Sequence, residues 1–130
     1  MEFFRKIFTI SNSAPENIKL QFMELFPNAK GVEWFKQKNG YEAVFNEDNR
    51  EKISFFSFEG TLMELRTNIA LDSIPNKIID SAKKEGEIMN CISVFKPEML
   101  DYELIVCDSS HKRFRICSNN NGVITGKIEL

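Results

Sequence analysis

The sequence predicts an α+β fold in which two tandem helix-plus-four-strand repeats join in one antiparallel sheet, with both helices on one face. Three observations carry that prediction. The segment Ser13-Ala14-Pro15-Glu16-Asn17-Ile18 returns as Ser73-Ile74-Pro75-Asn76-Lys77-Ile78, each time ahead of apolar residues at helical spacing. Each opening is followed by four short strand-like runs parted by turn residues. The register also holds: Pro15 and Pro75, Tyr41 and Tyr102, and Gly60 and Gly122 stand 60, 61 and 62 residues apart, a drift that two small loop insertions explain. Neither repeat is large enough to bury a core alone, so one domain is expected over 1–130, with a leader at 1–12, repeat 1 at 13–69 and repeat 2 at 70–130.

The first helix is expected to open at Ser13 as N-cap, with Pro15 in the first turn and Glu16 completing a capping box, and to end at Pro27. Ile18, Phe22, Leu25 and Phe26 form its apolar stripe. A four-strand meander follows over 28–67, cornered by Asn39-Gly40, by the polar run Asn46-Glu47-Asp48-Asn49 and by Glu59-Gly60. Asn-Gly is read as the tight hairpin that needs positive φ. Alternation places Val32, Trp34, Ala43, Phe45, Ile53, Phe55, Met63 and Leu65 in the layer under the helix. Trp34 is expected to be buried there. Phe35, Val44, Phe56, Phe58 and Leu62 fall on the opposite parity, so the second face either is covered or binds something.

In the second repeat, Ile78, Ile79 and Ala82 mark a helix that stops at Gly86. Strand-like runs follow at Ile88 to Phe95, Tyr102 to Cys107, Lys112 to Cys117 and Val123 to Leu130.

Composition narrows the function. Among 130 residues, 42% are hydrophobic and the net charge is −2, so no global field draws the chain to nucleic acid or to an anionic membrane. Twelve Phe against two Tyr and one Trp point to a phenylalanine-rich core. Cys91, Cys107 and Cys117 lie in strand-like runs without Cys-x-x-Cys spacing and are expected to be free, buried thiols. The opening MEFFRKIFTI has no apolar run of seven or more and no run approaches a membrane span, so a cytoplasmic chain is expected, or an exported one if a signal is missing.

Catalytic and metal chemistry find little support. The only histidine, His111, stands in a turn near Cys107, where a chance pairing is the plainer reading. The acidic turn at Glu47 and Asp48 lacks the ligand pattern of a calcium loop. Lys112-Arg113-Phe114-Arg115 reads as a solvated strand with Phe114 inward rather than a nucleic-acid platform. No cofactor or metal site is expected.

Phe26-Pro27, then Ala29, Val32 and Trp34, then Gly40, Tyr41, Val44 and Phe45, then Gly60 and finally Ile74-Pro75 form a pattern that resembles the PepSY-like family, also described as beta-lactamase-inhibitor-like proteins. The resemblance covers residues 13 to 130 and is strongest in the first repeat. It implies two helix-plus-four-strand repeats and a sheet whose open face receives another protein. The motif residues are of core and turn type, which implies no catalytic set, and many members look exported.

The expectation is therefore a non-enzymatic module binding a protein partner, as an inhibitor or otherwise, through the sheet face opposite the helices, with Phe35, Phe56, Phe58, Val44 and Leu62 as the binding residues. A carrier of small apolar ligands with a Phe-lined pocket and a structural homo-oligomer are the rivals. The leader residues Phe3, Phe4, Ile7 and Phe8 are the competing cover for that face.

Overall fold

A computed structural model describes residues 14–130. The strands follow chain order, β1-β2-β3-β4-β5-β6-β7-β8, as one eight-stranded antiparallel meander with two α-helices. The chain divides into two compact units, one ending at Arg66 and one running from Thr67 to Leu130.

In the first unit, helix α1 spans Glu16–Leu25. Its N-cap is Pro15, whose ring presets φ at −57° and whose carbonyl accepts the amides of Ile18 and Lys19, both at 3.1 Å. Pro15 makes no side-chain cap bond. Ser13, on which the expected capping box rests, and the leader lie outside the described residues. Ile18 and Phe22 turn one face into the core, and Phe26 caps the C-terminus by donating its amide to the Phe22 carbonyl at 2.8 Å. Pro27 then forbids another turn.

Strands β1 (Lys30–Gln37), β2 (Gly40–Glu47), β3 (Arg50–Ser57) and β4 (Leu62–Ile69) follow. The first hairpin closes Gln37 on Gly40, so its loop is Lys38-Asn39 and Gly40 is the first residue of β2. Neither Asn39 nor Gly40 has positive φ, which corrects the Asn-Gly reading. Gly40 is required for another reason: a Cβ there would sit 2.0 Å from the Phe56 carbonyl oxygen. The tight turn with two positive φ angles is Asp48-Asn49, at 53° and 61°, between the paired Glu47 and Arg50.

That two-residue loop fixes the register of β3. It sets Ala43 opposite Ser54 and Tyr41 opposite Phe56, and partners across a ladder share a face. The layer under α1 therefore holds Ser54 and Phe56, whereas Ile53 and Phe55 point the other way. This reverses the parity expected from sequence. Phe56 is 0% exposed in a core with Ile18, Phe22, Phe26, Ala43 and Phe45. Phe22 is its hub, with its ring 4.9 Å from Phe45, 5.2 Å from Phe26 and 5.2 Å from Trp34 in tilted and edge-on contacts.

The second unit repeats the device. Helix α2, Asn76–Ala82, is capped by Pro75, whose carbonyl accepts the amides of Ile78 at 3.0 Å and Ile79 at 3.1 Å. Strands β5 (Glu87–Lys96), β6 (Met99–Cys107), β7 (Arg113–Asn119) and β8 (Ile124–Glu129) complete the unit. Pairings Cys91 with Leu104 and Leu104 with Ile116 align one layer, which Ile74, Ile78 and Ala82 cover. The Ser81 hydroxyl donates to the Gly122 carbonyl at 2.5 Å, tying the helix to the turn between β7 and β8. Phe114 packs inward against this core, as expected, with the Lys127 ammonium 4.4 Å above its ring.

The cysteines separate by environment. All three are free, but only Cys91 is buried, while Cys107 and Cys117 are half-buried. Burial pushes the Cys91 thiol from 9.0 up to about 12. Its neighbour Tyr102 is also raised, first by burial and then by a charged Cys91.

Two outcomes check this packing. Phe56→Ala should cost about 3–5 kcal/mol as a core truncation, and Phe35→Ala well under half of that, in urea unfolding at unchanged slope. The reverse order would restore the parity expected from sequence. Cys91 stays protonated in the folded chain while an unfolded thiol ionises, so its contribution is intact below pH 9.0 and is lost as pH rises toward about 12. Stability of the parent chain should then fall more steeply than that of Cys91→Ala by about 1.4 kcal/mol per pH unit in that window. Parallel pH curves would show that Cys91 ionises freely in the folded state.

Candidate functional site

The face of the first unit turned away from α1 is built by the second set of ladder partners: Phe35 with Glu42, Glu42 with Phe55, Glu33 with Val44, and Val44 with Ile53. These pairs lay an apolar strip, Phe35, Val44, Ile53 and Phe55, across β1, β2 and β3, interleaved with carboxylates. Phe35, Val44 and Phe55 are half-buried and Ile53 is 5% exposed. In the second unit the face away from α2 likewise carries buried aliphatics, Ile92 and Val94, opposite Glu103 and Asp101.

Of the five residues expected on the face away from the helix, two lie on it, Phe35 and Val44. Phe56 is a core residue beneath α1, and Leu62 packs against that same core. Phe58 is 47% exposed, with its ring 5.7 Å from Tyr41, which shares the α1 side with Phe56. Ile53 and Phe55 are the residues that sequence parity missed. The signal was present in the spacing of Glu47 and Arg50, since a two-residue loop between them exchanges the faces of every β3 side chain. The leader cover by Phe3, Phe4, Ile7 and Phe8 falls outside the described residues.

A second concavity lies on the α1 side. A cleft of about 650 Å³ opens between α1 and β1, lined by Lys19, Phe22, Met23, Phe26, Val32 and Trp34, among others. Trp34 was expected to be buried and is instead a half-buried wall of this cleft. The register of β1 breaks between Lys30 and Glu33, with Gly31 at φ 63°, so the strand bulges where Ala29 and Val32 line the opening.

The remaining chemistry is sparse. A polar hollow of about 600 Å³ is lined by Asn28, Lys30, Asn46, Glu47, Asp48 and Asn49. Its most buried carboxylate, Glu47, is already paired with Lys52 at 3.0 Å. Among the described residues no group of three or more His, Cys, Asp or Glu side chains is placed to hold a metal ion. His111 is exposed in the β6–β7 loop at φ 64°, where Asp108 Oδ1 accepts the amides of Ser110 and Lys112, both at 2.9 Å. It serves the turn. The high-lying Cys91 thiol is sealed in a core and is no nucleophile near neutral pH.

No family model and no curated protein matches this sequence. Solved structures do. A protein from Bacteroides eggerthii provisionally described as periplasmic aligns with a TM-score of 0.81 at 18% identity, covering 91% of this chain and 90% of that one. A DUF2874 family protein from Bacteroides uniformis aligns with a TM-score of 0.80 at 18% identity over 90% of both chains. A BLIP-like protein from Bacteroides fragilis gives a TM-score of 0.77 at 15% identity over 92% of this chain and 88% of that one. No helix among the described residues is long and apolar enough to cross a membrane, and the neighbours lend the cytoplasmic expectation no support. The chain has a beta-lactamase-inhibitor-like fold.

Proposed function

We propose that this chain is a non-enzymatic protein-binding module of the cell envelope, of the PepSY-like kind, that engages its partner through the sheet face turned away from the helices. The observation that carries the reading is the strip Phe35, Val44, Ile53 and Phe55, apolar side chains aligned across three strands on a face that α1 does not cover. Aromatic side chains held by a sheet are good anchors, since the scaffold has already paid most of their ordering entropy. The fold supports the same use, because its solved relatives include a BLIP-like protein. An envelope location follows the periplasmic description of another. Inhibition of an enzyme is the first form of binding to test.

The test compares three proteins: the parent, a Phe35→Ser/Phe55→Ser variant, and a Leu20→Ser/Met23→Ser variant changed at helix residues that are 56% and 62% exposed. Each is immobilised and challenged with envelope extract and with purified beta-lactamase, and circular dichroism checks folding. A partner or an inhibition retained by the helix variant and lost in the sheet variant is expected. Loss only in the helix variant would overturn the assignment of the face. Self-association abolished by the sheet variant would make the partner a second copy of the chain.

A further inference from the structure

We infer that the cleft between α1 and β1 is a separate binding site for a small amphiphile, an apolar chain or ring system carrying one anionic head. The cleft has about 650 Å³ of space, within the range of small-molecule sites and too large for a packing defect. Its walls are apolar and aromatic: Phe22 and Phe26 are 3% and 7% exposed and form the floor of a preformed, rigid surface, and Trp34 stands edge-on to Phe22 at 5.2 Å. The β1 bulge at Gly31 lies at the opening, between Ala29 and Val32, where the strand departs from regular pairing.

The ligand's polarity follows from the lining. Among the described residues Lys19 is the one charged side chain that lines the cleft. Among the described residues it takes part in no ion pair, in contrast to Lys52, Arg66, Lys83 and Lys127. It sits one turn before Met23 and beside Phe22 on α1, where a long stem can lie along the apolar wall with its ammonium at the water. An ammonium is a point charge that any compact anion satisfies, so a carboxylate, sulfate or phosphate head serves equally, while the body must be apolar. This site shares no residue with the strip Phe35, Val44, Ile53 and Phe55, so the two readings stand or fall separately.

Trp34 is the only tryptophan of the chain and lines the site, which supplies a direct readout. Dodecanoate, kept below its micelle concentration, is titrated against the intact protein while Trp34 emission is followed, with dodecanol as the uncharged control. A saturable change is expected with dodecanoate, tighter than with dodecanol. Lys19→Met should weaken dodecanoate about threefold, the scale of one exposed ion pair, and leave dodecanol unchanged. Met23→Asp, at a position 62% exposed and tolerant of change, should weaken both. Phe35→Ser/Phe55→Ser should bind as the parent does. No saturable signal, equal affinity for acid and alcohol, or binding lost in the sheet variant and kept in Met23→Asp would overturn the assignment.

Discussion

The first unit depends on the ring of Phe22. It meets Phe26, Trp34 and Phe45 within 5.2 Å and Phe56 at 6.3 Å, so one helix residue contacts its own C-cap and three different strands. Edge-on and tilted geometries let each ring present its positive rim to a neighbour's negative face. The constraint reaches the backbone. Gly40 must lack a Cβ so that β2 can start against the Phe56 carbonyl, and that close approach accompanies the pairing of Tyr41 with Phe56. Ala43 and Ser54 are small and paired beneath the helix, which lets the larger rings fill the layer around them. The Ser54 hydroxyl finds no hydrogen-bond partner there, a local cost of close packing.

The two units solve one problem with different residues. Both start their helix on a proline whose carbonyl accepts the amides three and four residues on, and both bury an isoleucine three positions on, Ile18 and Ile78, each at 0% exposure. The cores then diverge. The first is aromatic, while the second relies on Ile74, Ile78, Leu104, Val106 and Ile116 around Cys91. Smaller side chains suit a shorter helix: α2 has 7 residues against 10 in α1. Loops in the second unit are closed by polar side chains, with Asp108 and Asn119 each accepting two backbone amides from the turn that follows. Such turns need no apolar support.

How much was legible in the sequence follows from these particulars. The helices, the eight strands and the repeat could be read because proline, glycine and alternating apolar residues act locally. Phe114 could be placed inward for the same reason. The face of Phe56 could not be read from alternation, since Ile53, Phe55 and Phe56 offer apolar side chains on both parities and only the length of the Asp48-Asn49 loop decides between them. Phe35 and Val44 lie on the face away from α1, as alternation against Trp34 and Ala43 requires, because the pairing of Trp34 with Ala43 keeps that parity across β1 and β2. The α1–β1 cleft left no periodic trace. It arises where a bulged strand and a helix diverge, a property of backbone geometry that a side-chain pattern does not encode.

Apolar residues on both parities have a consequence for function. Ile53 in the first unit, and Ile92 and Val94 in the second, are 5%, 4% and 5% exposed although each lies on the face turned away from its own helix. In β3 and β5 adjacent buried residues, Ile53 beside Ser54 and Cys91 beside Ile92, lie on opposite faces, so each strand is buried on both sides at its middle. These aliphatics contribute to stability first, and a polar substitution at any of them confounds binding with unfolding. Phe35, Val44 and Phe55 are different, because they remain half-exposed around that buried line. In the proposed mode of binding, contact falls to this half-exposed margin and not to the aliphatic centre, where a substitution would cost the fold.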